Sequence, residues 1–411
     1  MEAAAGGLDD IRTRVHIRPD APSYTATFDS ANGMGAAGLD RAFSLDAFKE
    51  NFKVDVKEKS DERLVFHMSG VDAPIANALR RILIAEVPTM AIETVNIYNN
   101  TSILQDEVLA HRLGLLPIKA DPRLFEYKEV DSRDQAVQQG SGAVEDGEGE
   151  DESNTLVFHL KARCTVDLTA DQSLPIEERL HNGSVYASQL EWKPQGDQAA
   201  RFGEGNEPRV VQPNILLARL RPGQELDLEL KCEKGLGKDH AKWSPVCTAS
   251  YRLLPDVKIV GKPIMDDEIE QAQIICGPDV FDIVERPGGH REAVLARPHL
   301  CSMARNGFTE EWAKRIHIFR VKDHFIFSIE SVGQYTGAPP PAPYHVQPAL
   351  IRISAGSHSV VERCWAVGAL AAMELFTEAL GVLVAKAAAV EAALDDPDGG
   401  DAGVRDRTTR T

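Results

Sequence analysis

The chain is expected to fold as an α+β protein: strand-type and helix-type apolar spacing occur in separate blocks, and one long apolar helix closes the ordered part. Phe52, Val54 and Val56 alternate with polar residues, as do Leu64, Phe66 and Met68, so each run buries one face of a strand. Ile75, Leu79, Ile82 and Leu83 instead recur at helical spacing. From about Ser357 to Ala393 the chain reads as a single helix, with Phe376, Leu380, Leu383, Ala387, Val390 and Leu394 forming a seam.

Residues 1–48 are rich in Gly, Ala and Asp and are expected to form a mobile arm, with one ordered turn near Phe43 to Phe48. The polar KEKSDE between the first two alternating runs suits a hairpin turn. Asp72 is a good N-cap, Pro74 fits a first helical turn, and Pro88 ends the helix. MAIETVNIYNN reads as a strand, and DEVLAHRLG as a short helix with Gly114 placed to terminate it. Residues 131–154 contain few apolar groups, and EDGEGEDE (145–152) predicts a solvated, mobile loop. Alternation returns at Leu156, Phe158, Leu160, Ala162 and Cys164, and again at Leu226, Leu228 and Leu230. RIHIFRVKDHFIFSIES offers two alternating runs, expected as a hairpin about Lys322 and Asp323. QYTGAPPPAPYHVQP is a linker or extended loop, and residues 396–411 are expected to be a disordered tail.

With 45 basic and 63 acidic residues the net charge is −18, which repels phosphate and argues against wrapping nucleic acid by charge. The six cysteines are scattered, with none at the short gaps that metal sites favour, and the N-terminus lacks a secretory signal pattern, so reduced thiols are expected. Glu374, Glu378 and Lys386 interrupt the apolar stretch from Trp365 to Ala389, which excludes a membrane span there.

No complete catalytic constellation is present. KGLGKDH (234–240) fails as a phosphate loop, because Cys232 stands where the first glycine belongs and Asp239 where the hydroxyl residue belongs. His299 and Cys301 supply two metal ligands where a structural zinc site needs four. Neither a metal nor a cofactor is expected. Arg80 and Arg81, side by side on the helix, point about 100° apart. They read either as two solvated charges or as anchors for a partner's carboxylates.

NALRRILIAEVPTMAIETVNIYNNTSILQDEVLAHRLGLLPIKADPRLFEY (77–127) resembles the dimerisation motif of the RNA polymerase alpha family. GLGKDHAKWSPVCTASYRLLP (235–255) and VKDHFIFSIESVG (321–333) resemble two further blocks of that family, in the same order. The resemblance is to the larger alpha-like subunits shared by nuclear RNA polymerases I and III. The polymerase II counterparts carry four zinc-binding cysteines after the HRLGL-type helix, and residues 90–163 here contain no cysteine.

The resemblance implies an RNA polymerase alpha N-terminal-type fold. Its dimerisation subdomain, a sheet plus helices, takes residues 49–120 and 320–395. A mainly β insert domain takes 121–319, with a degenerate ferredoxin-like remnant at 256–319. It implies a non-catalytic assembly subunit of the nucleus, nucleolus included, for synthesis of rRNA precursors, 5S rRNA and tRNA. The implied partners are the smaller alpha-like subunit, the second-largest subunit and other polymerase I and III subunits, with little or no direct nucleic-acid contact and no membrane. Ile75, Leu79, Ile82, Leu83, Phe376, Leu380 and Leu383 are the expected heterodimer contacts, and Arg80 and Arg81 the expected contacts to the second-largest subunit. The polymerase II homologue and a stand-alone cytosolic enzyme are the alternatives.

Overall fold

The computed structural model describes residues 13–25, 45–60, 62–128, 151–167, 175, 179–202, 205–287, 289–302, 307–334 and 371–395. In chain order its main elements are β1 (Arg14–Ile17), α1 (Leu45–Asn51), β2 (Lys53–Lys59), β3 (Arg63–Ser69), α2 (Ala73–Ala85), β4 (Pro88–Asn100) and α3 (Asp106–Gly114). Then follow β5 (Thr155–Arg163), β6 (Glu225–Leu236), β7 (Val246–Ile259), α4 (Glu268–Cys276), β8 (Phe281–Arg286), β9 (His290–Leu295), β10 (Ile316–Ser331) and α5 (Ala371–Asp395).

The first sheet is organised around β10. β7 runs antiparallel along one side, β1 and β3 share the other, and β2 pairs outside β3. β2 and β3 pair as expected, with Lys53 opposite Ser69 and Val56 opposite Phe66, but Lys57, Glu58 and Lys59 of KEKSDE belong to β2 itself, so the connection is shorter than expected. Gly70 follows with φ +77, and a Cβ there would lie 2.4 Å from the Asn51 carbonyl oxygen, so only glycine fits. The helix begins where Asp72 and Pro74 place it, although the Asp72 side chain makes no capping bond. It buries Ala76, Leu79, Ile82 and Leu83.

The hairpin expected at Lys322 and Asp323 does not form. β10 continues through as one strand of 16 residues. β7 pairs with both of its halves, Leu253 opposite Phe325 and Pro255 opposite Arg320, leaving a bulge in β10 between them. The two runs therefore find a common partner instead of each other. β3 lies against His324 to Glu330 and β1 against Ile318 to Val321, with Gly70 N–H donating to the Asp323 carbonyl (2.9 Å) at the changeover.

The second sheet runs Glu191–Lys193, β5, β6, β4, all antiparallel. Leu156, Phe158, Leu160 and Ala162 of β5 pack with Leu226, Leu228, Leu230 and Cys232 of β6, closed by Leu109 and Leu113 of α3. A third core lies where α4 and a small sheet of Ile264–Met265, β9 and β8 meet the ends of β7 and β10, through Val257, Ile316 and Ile318.

Four expectations are corrected by this packing. The N-terminal segment is not simply a mobile arm, because Arg14–Ile17 is an edge strand on β10; Val15 and Ile17 supply the alternation that residues 1–12 lack. The division at residue 120 does not follow the cores, because β4 and α3 pack into the second sheet's core. Conversely, β7, expected within the insert, is a strand of the first sheet. Pairing across a sheet, which has no local sequence signal, decides both. Finally, Leu115 rather than Gly114 occupies the C-cap of α3, at φ −85. Of the acidic loop expected at 145–152, residues 145–150 lie outside the described residues, as do residues 357–370 of the expected terminal helix and the tail, while Asp151 accepts from the Ser153 and Asn154 N–H groups in a turn before β5.

Candidate partner interface

α2 and α5 pack together over the inner face of the first sheet. Phe66 of β3 stacks flat on Phe327 of β10 (centroids 5.0 Å) and meets Phe376 of α5 at 4.6 Å. Leu79 and Ile82 are 2% exposed, Leu83 0% and Phe376 3%, all within one core with Leu375 and Ala379. These four residues, expected to meet a partner, are covered by their own chain, because α5 folds back onto α2. Leu380 and Leu383 pack at the margin of that core, half-buried. Ile75, one turn before Leu79, remains 40% exposed. Among the described residues, the apolar surface that the helix pair leaves in water is thus narrower than the spacing alone implied: Ile75 is exposed, and Leu380 and Leu383 are half-buried.

The two arginines differ. Arg80 is half-buried and donates through Nε (3.2 Å) and Nη2 (3.0 Å) to Asn77 Oδ1, one helical turn back. Arg81 is exposed and makes no hydrogen bond or ion pair among the described residues. An exposed, unspent guanidinium on a helix otherwise anchored in a core is a ready donor to an external carboxylate.

Polar contacts place α5. Its Lys386 Nζ donates to Glu86 at the end of α2 (2.6 Å). Glu378 accepts from Arg123 Nη1 (3.4 Å), whose Nε and Nη2 grip both oxygens of Asp121 at 2.8 and 2.7 Å. Burial holds the Glu378 carboxyl above its usual range, and the Arg123 guanidinium opposes that shift. Burial also lowers the nearby Lys234 ammonium, against the pull of Asp121 and Glu378. Sequence reading did not single out Arg123, Asp121 or Glu378: an Asp-Pro-Arg turn is common, and nothing local announces a partner on a distant helix.

Elsewhere the chemistry is structural. Burial raises the Cys232 thiol, while contact with Cys301 and then burial raise the Cys276 thiol. His299 lies beside His67 (centroids 6.4 Å), while Cys301 is buried in the third core. Among the described residues no three His, Cys, Asp or Glu side chains gather as a metal-binding group, and no helix is long and apolar enough to cross a membrane.

Comparison with known proteins gives these features a family. Residues 65–343 match the RNA polymerase Rpb3/Rpb11 dimerisation domain. Over 334 residues the chain is 46% identical to the DNA-directed RNA polymerases I and III subunit RPAC1 of Bos taurus, spanning 80% of this chain and 90% of that one. Against the subunit of the same name in Saccharomyces cerevisiae it is 40% identical over 297 residues, spanning 72% and 83%. Against the DNA-directed RNA polymerases II, IV and V subunit 3 of Arabidopsis thaliana identity falls to 30% over 291 residues, spanning 68% and 83%. A mixed α/β chain, mostly sheet, with a matched stretch running from β3 past β10, belongs to the RNA polymerase Rpb3/Rpb11 dimerisation-domain family, the alpha-like subunits of RNA polymerase.

Proposed function

We propose that this chain is a non-catalytic assembly subunit of DNA-directed RNA polymerases I and III. It pairs with the smaller alpha-like subunit, and the pair seats the second-largest subunit among the other polymerase I and III subunits. The work is burial and shape complementarity; nucleotide addition belongs to the large chains. The products are rRNA precursors, 5S rRNA and tRNA, and the location is the nucleus, including the nucleolus. The higher identity to polymerase I and III subunits than to the polymerase II, IV and V subunit supports this assignment, as does the lack of cysteine in residues 90–163.

The observation that carries the assembly reading is the pair α2 and α5, anchored in the first sheet, with Ile75 exposed and Leu380 and Leu383 half-buried at the core margin. Two such helices from each partner bury on the order of 2,000 Å² or more, the range of obligate interfaces. In this reading the first sheet with α2 and α5 is the dimerisation subdomain, assembled from distant segments. The second sheet is the insert, and the third core is the ferredoxin-like remnant. Arg81, exposed and available to donate to an external carboxylate, faces the second-largest subunit, with Arg80 beside it steadied by Asn77.

Affinity purification of the tagged full chain from cells, with identification of the co-purifying polypeptides, tests the assignment. The smaller alpha-like subunit together with the large subunits of both polymerases is the expected yield; polymerase II subunits in their place overturn it. Arg81→Glu is expected to retain the small partner and lose the second-largest subunit by tenfold or more, an order of magnitude typical of a central arginine anchor. Normal assembly of that variant removes Arg81 from the contact.

A further inference from the structure

We propose that Arg123 is the positioning residue that sets the axial register of α5, and with it the face that α5 offers to the partner subunit; the inference rests on the heterodimer reading above. Among the described residues, α5 lies on α2 and the first sheet through side-chain contacts. The apolar ones, through Leu375, Phe376 and Ala379, fix which side faces inward. They resist sliding along the axis less well, because Ala379 and Gly381 present little side chain to interlock, and dispersion contacts have no direction.

Arg123 supplies direction. It stands in the turn Pro122–Leu124, capped by Asp121 Oδ1, which accepts from the Arg123 N–H (3.0 Å). The same carboxylate grips the guanidinium bidentately, and both side chains are nearly enclosed, 13% and 8% exposed. Such a fork has one orientation only. The Nη1 donates to Glu378 (3.4 Å), three residues after Leu375 on α5. The turn itself is immobilised at both ends: Ala120 N–H donates to the Gln334 carbonyl (3.2 Å), and Phe125 is buried in the second core while its carbonyl accepts Lys234 Nζ (2.8 Å). A rigid point on the second core thus holds a helix of the first. Leu380 and Leu383 follow Glu378 on α5, so a displaced helix carries the partner-facing side chains with it.

The test uses the full chain and the full smaller alpha-like subunit. Arg123→Ala is expected to weaken the heterodimer about tenfold, as loss of a desolvated charge contact does. Arg123→Lys is expected to restore little, because an ammonium cannot hold Asp121 bidentately and reach Glu378 as well. Glu378→Gln, which keeps size and fold, is expected to weaken binding about threefold, and adding it to Arg123→Ala is expected to cost nothing further. Hydrogen exchange of the free chain separates positioning from general loss of stability. Amides of α5 exchange faster in Arg123→Ala while those of β3 and β10 keep their protection. Equal affinity in wild type, Arg123→Ala and Glu378→Gln overturns the inference, as does uniform loss of protection across the chain. If the wild-type chain itself fails to bind the smaller subunit, it is the function proposed above that fails.

Discussion

Among the described residues, the second core draws its buried side chains from residues 90–232, whereas the core between α2 and β10 gathers its members from residues 64–87, 246–249, 325–329 and 375–379. The former is closed within one continuous stretch and capped by α3. The latter brings together segments as far apart as Leu64 and Ala379, and its outer helix pair still exposes Ile75. Contacts of long sequence separation cost more loop-closure entropy before they return any stability. The difference teaches that the open core is also the one least able to complete itself, a property that suits a surface finished by another chain.

The largest expected effects test whether the two cores are separable. Phe158→Ala in the second core and Phe66→Ala in the first each remove an aromatic ring 1% exposed, and each is expected to cost about 3–5 kcal/mol in urea denaturation. Calorimetry sharpens the contrast: if the proposed heterodimer forms through the first core alone, the smaller alpha-like subunit is expected to raise only the transition that Phe66→Ala lowers. One transition, lowered equally by both variants and raised as a whole by the partner, would erase the distinction.

The joint between the cores comes next. Gly237 follows β6, and a Cβ there would stand 2.3 Å from the Ile84 carbonyl oxygen of α2. Lys238 N–H donates to Ala85 O beside it (2.8 Å). Gly237→Ala is expected to cost about 1–3 kcal/mol by overpacking, and hydrogen exchange should show the C-terminal turn of α2 loosening before β5 does.

A smaller effect separates the cores by pH. His67 Nδ1 and His324 Nε2 lie 3.1 Å apart on β3 and β10 of the first sheet. Burial lowers both histidines, and mutual repulsion adds to it at His67. The folded state keeps them neutral while the unfolded chain takes up protons, so stability holds above the ordinary value of 6.5 and falls as pH drops below it. Melting curves over about one pH unit either side of that value should show the loss in the first-core transition. His324→Gln should flatten it. The smallest effect on the isolated chain belongs to Ile75→Ser, within about 0.5 kcal/mol because the side chain is already half in water. Heterodimer affinity should fall nonetheless; a variant that binds normally would take Ile75 out of the interface.

Much of this was legible beforehand. The hairpin of β2 and β3, the start of α2 at Asp72 and Pro74, and the alternation of β5 and β6 all follow from local periodicity and turn chemistry. At the candidate interface the apolar stripe of α2 was legible, but what it touches was not: Leu79, Ile82 and Leu83 are spent on the chain's own α5 and sheet, and only Ile75 is left open. The role of Arg123 was not legible, since Asp121 is two residues away but Glu378 is 255 residues away.

The sequence by itself determined the β2–β3 hairpin, the start of α2 and the strands β4, β5 and β6, because those depend on neighbours within a few residues, and its longer motifs pointed to the family. Tertiary structure alone decided that the two runs about Lys322 form one strand, that Arg14–Ile17 joins the sheet, and which apolar side chains remain for a partner. The reason is physical: an apolar side chain leaves water equally well against its own chain or another, so its spacing records that it will be covered but not by what.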